Sequence, residues 1–293
     1  ANMPGKAANR NGRSKNMTLK GKIEFVAQTD VGQVRDHNED FISCVDHLGV
    51  AVLADGMGGL NAGEVASSMT AHLLINELVD YLTGKSEIEF ELSEATIDLP
   101  RDARVMKHAI EKANNAVFHV SQTQPQCRGM GTTVVASLFY DNKVAVGHIG
   151  DSRMYRFRDN KLERITRDHS FVQELVDKGV YTQEEARESN KKNVVTRALG
   201  VGPTVEAEVH EHKTRTGDIY LMCSDGLTDL VPDSDIETSL KELGANLSEA
   251  AGHLVNVANA SGGKDNISIV LARIAKPFPA QGGIINKFLN WFE

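Results

Sequence analysis

Four aspartates stand where an apolar run stops or starts. Asp55 closes Val52-Leu53-Ala54 and leads into Gly56-Met57-Gly58-Gly59. Asp151 follows His148-Ile149-Gly150, Asp225 follows Leu221-Met222-Cys223-Ser224, and Asp265-Asn266 precedes the run that opens at Ile267. A single Asp-Gly is an ordinary turn. Four carboxylates at the same end of neighbouring strands are another matter, because gathered anions repel one another. A hard divalent cation, Mg²⁺ or Mn²⁺, relieves that repulsion with carboxylate, carbonyl and water oxygen. Gly56 lets its own carbonyl come close enough to serve as a further ligand. Upstream, Arg35-Asp36-His37-Asn38-Glu39-Asp40 sets a guanidinium beside more acids. Arg offers paired hydrogen bonds to phosphate, while the acids can hold a cation through water. The ten histidines are scattered and no Cys-x-x-Cys occurs, so the metal reading rests on oxygen ligands alone.

The elements that must position these groups alternate in two periods. β-branched and apolar runs predict strands over 23–28, 50–54, 132–140, 143–149, 219–223 and 267–273. Helical spacing predicts 63–82, 101–122, 171–178, 182–189, 234–243 and 248–259. Strands, a helix pair, strands, helices and a last strand do not make a doubly wound parallel sheet. The order favours sheets with helices laid on their outer faces, an α+β arrangement. Asp141-Asn142 and Asp159-Asn160 fit tight hairpin turns, which makes 132–149 a meander. The polar stretch 83–100 reads as a long loop. Residues 171–195, rich in Glu and Lys, interrupt the pattern as a flap or surface hairpin.

Of 293 residues, 41% are hydrophobic and 25% charged, ordinary globular usage. All 40 acids lie beyond residue 22, whereas residues 1–22 hold six of the 32 Lys and Arg, so the body is more acidic than the net charge of −8. Such a body offers no basic stripe to nucleic acid. Residues 1–22 read as a flexible basic tail, 23–275 as one domain, and 276–293 as a C-terminal tail with an apolar helical stretch over 284–292. Loss of 282–293 is expected to leave turnover intact. No apolar run reaches membrane-span length. Three widely spaced cysteines, Cys44, Cys127 and Cys223, suit a reducing compartment, so a cytoplasmic monomer is expected. Six residues after these cysteines come Val50, Thr133 and Asp229, which excludes the Cys-x5-Arg phosphate loop. No Gly-Lys-Ser/Thr follows the glycines at 56–63, which excludes a P-loop.

The motifs together carry a family resemblance. R-x-x-N-E-D at 35–40, D-G-M-G-G at 55–59, G-E-x-A-S at 63–67, G-T-T at 131–133, G-D-S-R at 150–153, S-D-G-L at 224–227 and D-N at 265–266 occur in order. This resembles the metal-dependent serine/threonine protein phosphatases of type 2C, especially the bacterial single-domain kind, over about residues 23–273.

The resemblance implies a four-layer αββα sandwich, two central antiparallel sheets with helices on both outer faces. It implies that Asp55 bridges two Mn²⁺ or Mg²⁺ ions and that the Gly56 carbonyl binds one of them. Asp225 and Asp265 would complete the first ion's shell, and Glu39 and Asp40 would hold the second through water. Asp151, Asp225 and Asp229 would form a weaker third position, and Arg35 would grip the substrate phosphate. Two ions about 3.5–4 Å apart activate a shared water for direct in-line displacement. The implied partners are phosphorylated proteins and a cognate serine/threonine kinase. Animal members carry a His immediately after Asp-Gly as a proposed general acid; Met57 stands there, and thioether sulfur cannot donate a proton, which leaves the acid unassigned. Two other roles stay open on this scaffold: a non-catalytic phosphoprotein-binding pseudophosphatase, and a phosphatase for phosphorylated anti-sigma-factor antagonists.

Overall fold

The computed structural model describes residues 18–59, 62–86 and 98–279. Its strands are β1 (Ile23–Asp30), β2 (Asp40–Val45), β3 (Val50–Met57), β4 (Gly131–Thr132), β5 (Val134–Tyr140), β6 (Lys143–Ile149), β7 (Arg153–Arg158), β8 (Lys161–Arg164), β9 (Glu208–Lys213), β10 (Ile219–Cys223) and β11 (Ile267–Ile274). The helices are α1 (Ala62–Thr83), α2 (Arg101–Thr123), α3 (Phe171–Asp177), α4 (Gln183–Glu188), α5 (Asp225–Thr228), α6 (Asp233–Leu243) and α7 (Leu247–Ala260). One sheet runs β1-β11-β10-β7-β8 and the other β2-β3-β5-β6-β9, with β4 paired to β3. Every pairing within the two sheets is antiparallel.

Side-chain alternation explains the layers. Val50 and Val52 face the core under α1 and α2, whereas Ala51 and Leu53 face the space between the sheets. On β10, Ile219 and Leu221 pack under α5, α6 and α7, while Tyr220 and Met222 meet the opposite sheet. A strand buried on both faces reads as a continuous apolar run, which is why these central strands were legible. The result is the four-layer αββα sandwich. Asp141, Asn142, Asp159 and Asn160 all have left-handed φ, from 44° to 60°, as two-residue hairpin turns require.

Two strands, β2 and β9, were not foreseen, and β7 and β8 were implied only by the hairpin turn at Asp159-Asn160. Their sequences mix charge with apolar residues, as in Glu208–Lys213, which reads EVHEHK at the sheet edge. Leu19, expected in the basic tail, is buried between the sheets, and its N–H donates to the His47 carbonyl at 2.7 Å. At the other end Phe278 is fully buried in the same core. The helix expected over 284–292, and most of the loop expected over 83–100, lie outside the described residues.

Candidate metal centre

Antiparallel register gathers the acids at one edge of the sandwich. In one sheet the end of β10 lies beside the starts of both β11 and β7: Cys223 is the partner of Ile269 and of Arg153. Asp225, Asp265 and Asp151 sit just beyond those ends. In the other sheet Asp40, at the start of β2, is the direct partner of Asp55 near the end of β3. Two hydroxyl contacts tie the sheets together here. Ser224 Oγ donates to Asp40 Oδ2 at 2.8 Å, and Thr133 Oγ1 meets Ser152 Oγ at 2.6 Å.

Gly56 is required by close approach. A Cβ there would lie 2.2 Å from the Gly63 carbonyl oxygen and 2.6 Å from that of Glu39. The Gly56 N–H donates to the Glu39 carbonyl at 3.1 Å, so R-x-x-N-E-D and D-G are held edge to edge. Arg35 Nη2 donates to Asp265 Oδ2 at 2.6 Å, and its side chain is 51% exposed. The sequence-predicted phosphate ligand therefore stands at the rim, bonded to a sequence-predicted metal ligand.

Electrostatics mark the cluster as short of positive charge. Burial, then the charges of Asp40, Asp225, Asp151 and Asp265, push Asp55 well above the usual carboxylate range. Burial and the charges of Asp151, Asp229, Asp265 and Asp40 do the same to Asp225. Burial raises Asp40 to about 7, and burial with the Asp168 charge raises Asp151 to about 6. Two carboxylate oxygens, Glu39 Oε1 and Asp40 Oδ1, are buried with no hydrogen-bond partner. Buried acceptors are ordinarily satisfied. Orphaned oxygens in a cluster of carboxylates are the donor set of a hard divalent cation, so the residues fit Mg²⁺ or Mn²⁺.

The acids expected at a third position share a cavity with residues of the 171–195 segment. Asp151, Asp225 and Asp229 line a cavity of about 470 Å³ whose opposite wall includes Ala186 and Lys192. Lys192 Nζ is 2.8 Å from Asp229 Oδ2, so a cation of this segment is paired with that carboxylate.

Three contributors were not singled out from sequence. Asn266, 5% exposed, accepts the Glu39 N–H at 2.8 Å and donates to the Val31 and His37 carbonyls at 2.9 and 3.0 Å. It staples the Arg35–Asp40 loop to the start of β11. Asp168 takes a forked pair from Arg153 at 3.0 and 2.7 Å and faces Asp151. Ser224 bridges Asp40 to the Ser268 N–H at 3.0 Å. Asn266 and Ser224 stood in the D-N and S-D-G-L motifs without a role, and Asp168 lay outside every motif.

The histidines need a correction. Scattered in sequence, three chemistry-bearing groups nonetheless converge: His148, His169 and Glu208 each bring one ligand atom within 4.8 Å of the others. Chain spacing does not report neighbours made by pairing β6 with the unforeseen β9.

Comparison with known proteins agrees with the motif reading. The profile of the family described as Protein phosphatase 2C matches residues 32–259. A serine/threonine phosphatase stp of Listeria welshimeri is 37% identical over 250 residues, 83% of this chain and 93% of that relative. The crystal structure of the Mycobacterium tuberculosis serine/threonine phosphatase PstP/Ppp superposes with a TM-score of 0.75 at 37% identity, covering 87% of this chain and 99% of that one. A structure of the PstP catalytic domain in complex with two manganese ions gives 0.73 at 36% identity, with the same coverage.

Proposed function

The chain belongs to the protein phosphatase 2C family, and we propose that it hydrolyses phosphoserine and phosphothreonine on proteins, reversing a bacterial serine/threonine kinase. The observation that carries this reading is the pair of orphaned buried oxygens, Glu39 Oε1 and Asp40 Oδ1, inside a cluster of raised carboxylates. Asp55, Asp225 and Asp265 would hold one cation, with Asp55 shared by a second that Glu39 and Asp40 serve, and the Gly56 carbonyl would bind one of the two. Asp151, Asp225 and Asp229 would take a weaker third. When bound, the cations supply positive charge that lowers the pKa of water and offsets charge on the phosphoryl oxygens.

The protein's own residues then have separable tasks. Arg35, at the rim, exchanges part of its bond with Asp265 for the substrate phosphate and orients it. Asn266 and Ser224 keep the acid-bearing segments in register. Cys223 adjoins the centre but is fully buried, and burial pushes its thiol far up, so it does not serve as a thiolate nucleophile. That supports attack by water without a covalent cysteine intermediate. No helix among the described residues is long and apolar enough to cross a membrane. The three cysteines are unpaired, which supports a cytoplasmic setting. One domain, wider than the expected 23–275 because Leu19 and Phe278 lie in its core, acting as a monomer, completes the reading.

The test is phosphate release from a phosphothreonine peptide with and without Mn²⁺, for wild type and Asp225→Asn. Metal-dependent turnover that collapses in the variant supports the assignment. A folded, metal-loaded wild type that binds the peptide without cleaving it would instead favour the phosphoprotein-binding role.

A further inference from the structure

A second cluster lies where β6, β9 and the loop before α3 meet, and its proton positions are fixed by the backbone. His148 is 1% exposed, and its Nε2 lies 2.8 Å from the Arg167 carbonyl oxygen. A carbonyl only accepts, so Nε2 carries the proton and Nδ1 is left with a bare lone pair. That atom is buried and has no partner. Burial lowers the His148 pKa to about 4, so the ring stays neutral. A buried neutral imidazole whose far nitrogen donates to a backbone carbonyl has the arrangement typical of a metal-ligating histidine.

His169, 6% exposed, is stacked on it, with ring centroids 4.8 Å apart and planes 16° from parallel. The Gly150 N–H donates to His169 Nδ1 at 3.1 Å, so His169 carries its proton on Nε2 and gives it to Glu208 Oε2, also at 3.1 Å. The His169 N–H in turn donates to the Gly150 carbonyl at 2.9 Å. His169 therefore clamps both polar groups of Gly150, the residue before Asp151. Hydrogen bonds from His169 and His210 hold the Glu208 carboxyl well below its ordinary range, so it stays ionised.

We propose that His148, His169 and Glu208 form a second metal site of zinc class, and that loading it draws His169 off Gly150 and slackens the turn carrying Asp151. Two imidazoles and one carboxylate are the donors of Zn²⁺ chemistry, whereas the carboxylate cluster suits Mg²⁺ or Mn²⁺. The tautomer is the coupling. For Nε2 of His169 to accept a metal, its proton must leave, and a neutral ring then carries it on Nδ1. An Nδ1–H faces the Gly150 N–H donor to donor, so that bond breaks. His148 is pinned by its bond to the Arg167 carbonyl. The ring that turns is His169. A zinc-class ion would thus act on the Asp151 turn without touching Asp151.

The experiment is a long-range ¹H–¹⁵N spectrum of the histidine rings in full-length, Mg²⁺-saturated protein as Zn²⁺ is added. The expected result is that His148 Nδ1 and His169 Nε2 move to metal-bound positions together, while the Gly150 amide loses its hydrogen-bonded shift. In Glu208→Gln, whose position lies on an edge strand, Zn²⁺ affinity read from the same His148 signal should fall by at least about tenfold. Zn²⁺ uptake that leaves both histidine rings unchanged would overturn the site. Equal affinity in a folded Glu208→Gln would overturn the three-ligand set. Ring shifts with the Gly150 amide unmoved would overturn the coupling.

Discussion

Asp40 and Asp55 are direct cross-strand partners between β2 and β3, a like-charged pair placed at the edge where the acid-bearing strand ends meet. Like charges directly opposite destabilise a sheet, and burial adds to the cost. The pair makes sense as half of a binding site whose other half is a cation.

The metal-free protein should lose stability as pH rises. Burial raises Asp40 from its ordinary 3.8 to about 7 in the fold. A raised folded pKa contributes stability that is full below the unfolded value and is lost as pH climbs through the folded one. Thermal unfolding in chelator should therefore show Tm falling over this pH window, with Asp40→Asn flattening the fall and added Mn²⁺ restoring Tm above pH 7. A metal-free Tm that rises steadily to pH 8 in wild type would contradict this.

Removal of Asn266 should loosen the site rather than unfold it. Asn266→Ala breaks three hydrogen bonds and leaves the Glu39 N–H and two carbonyls without their partner. At about 1 kcal/mol for each bond the cost is about 3 kcal/mol. Denaturant unfolding measures it, and calorimetry should show Mn²⁺ affinity falling as Glu39 drifts. Unchanged affinity would show that Glu39 needs no staple.

Gly226→Ala should be more severe. The added Cβ would lie 2.0 Å from the Asn266 carbonyl oxygen, a backbone atom that cannot swing aside. Overpacking typically costs about 1–3 kcal/mol, and this contact belongs at the upper end. Because the clash separates Asp225 from Asp265, metal binding should weaken along with Tm. Wild-type Tm and Mn²⁺ affinity in this variant would refute the packing described.

Arg35→Ala should separate substrate handling from metal handling. Loss of a charge-assisted contact to phosphate predicts about 10–100-fold lower kcat/KM on a phosphopeptide. Mn²⁺ affinity should hold or rise, since Asp265 is freed from its ion pair. A variant that loses metal but retains KM would reverse the two roles.

Much of this was legible because apolar runs announce their ends. Asp55, Asp225 and Asp265 each adjoin a strand buried on both faces, so hydrophobicity located the carboxylates and register then gathered them. Arg35 stood out in sequence as a basic residue beside acids, but its bond to Asp265 was not legible, because 230 residues separate the two. Asp168 and the contacts of Asn266 stayed hidden for the same reason: each works through a partner on another element. Glu208 was lost with β9, where polar residues at a sheet edge erase the strand signal, and the histidine cluster was lost with it.

The most direct test of the central claim is a count of tightly bound Mn²⁺ by calorimetry in wild type, Asp265→Asn and Asp55→Asn. If Asp55 is shared between two cations, the wild type binds two ions, Asp265→Asn weakens one, and Asp55→Asn loses both together. Two ions bound with unchanged affinity in a folded Asp55→Asn would contradict a carboxylate-bridged centre.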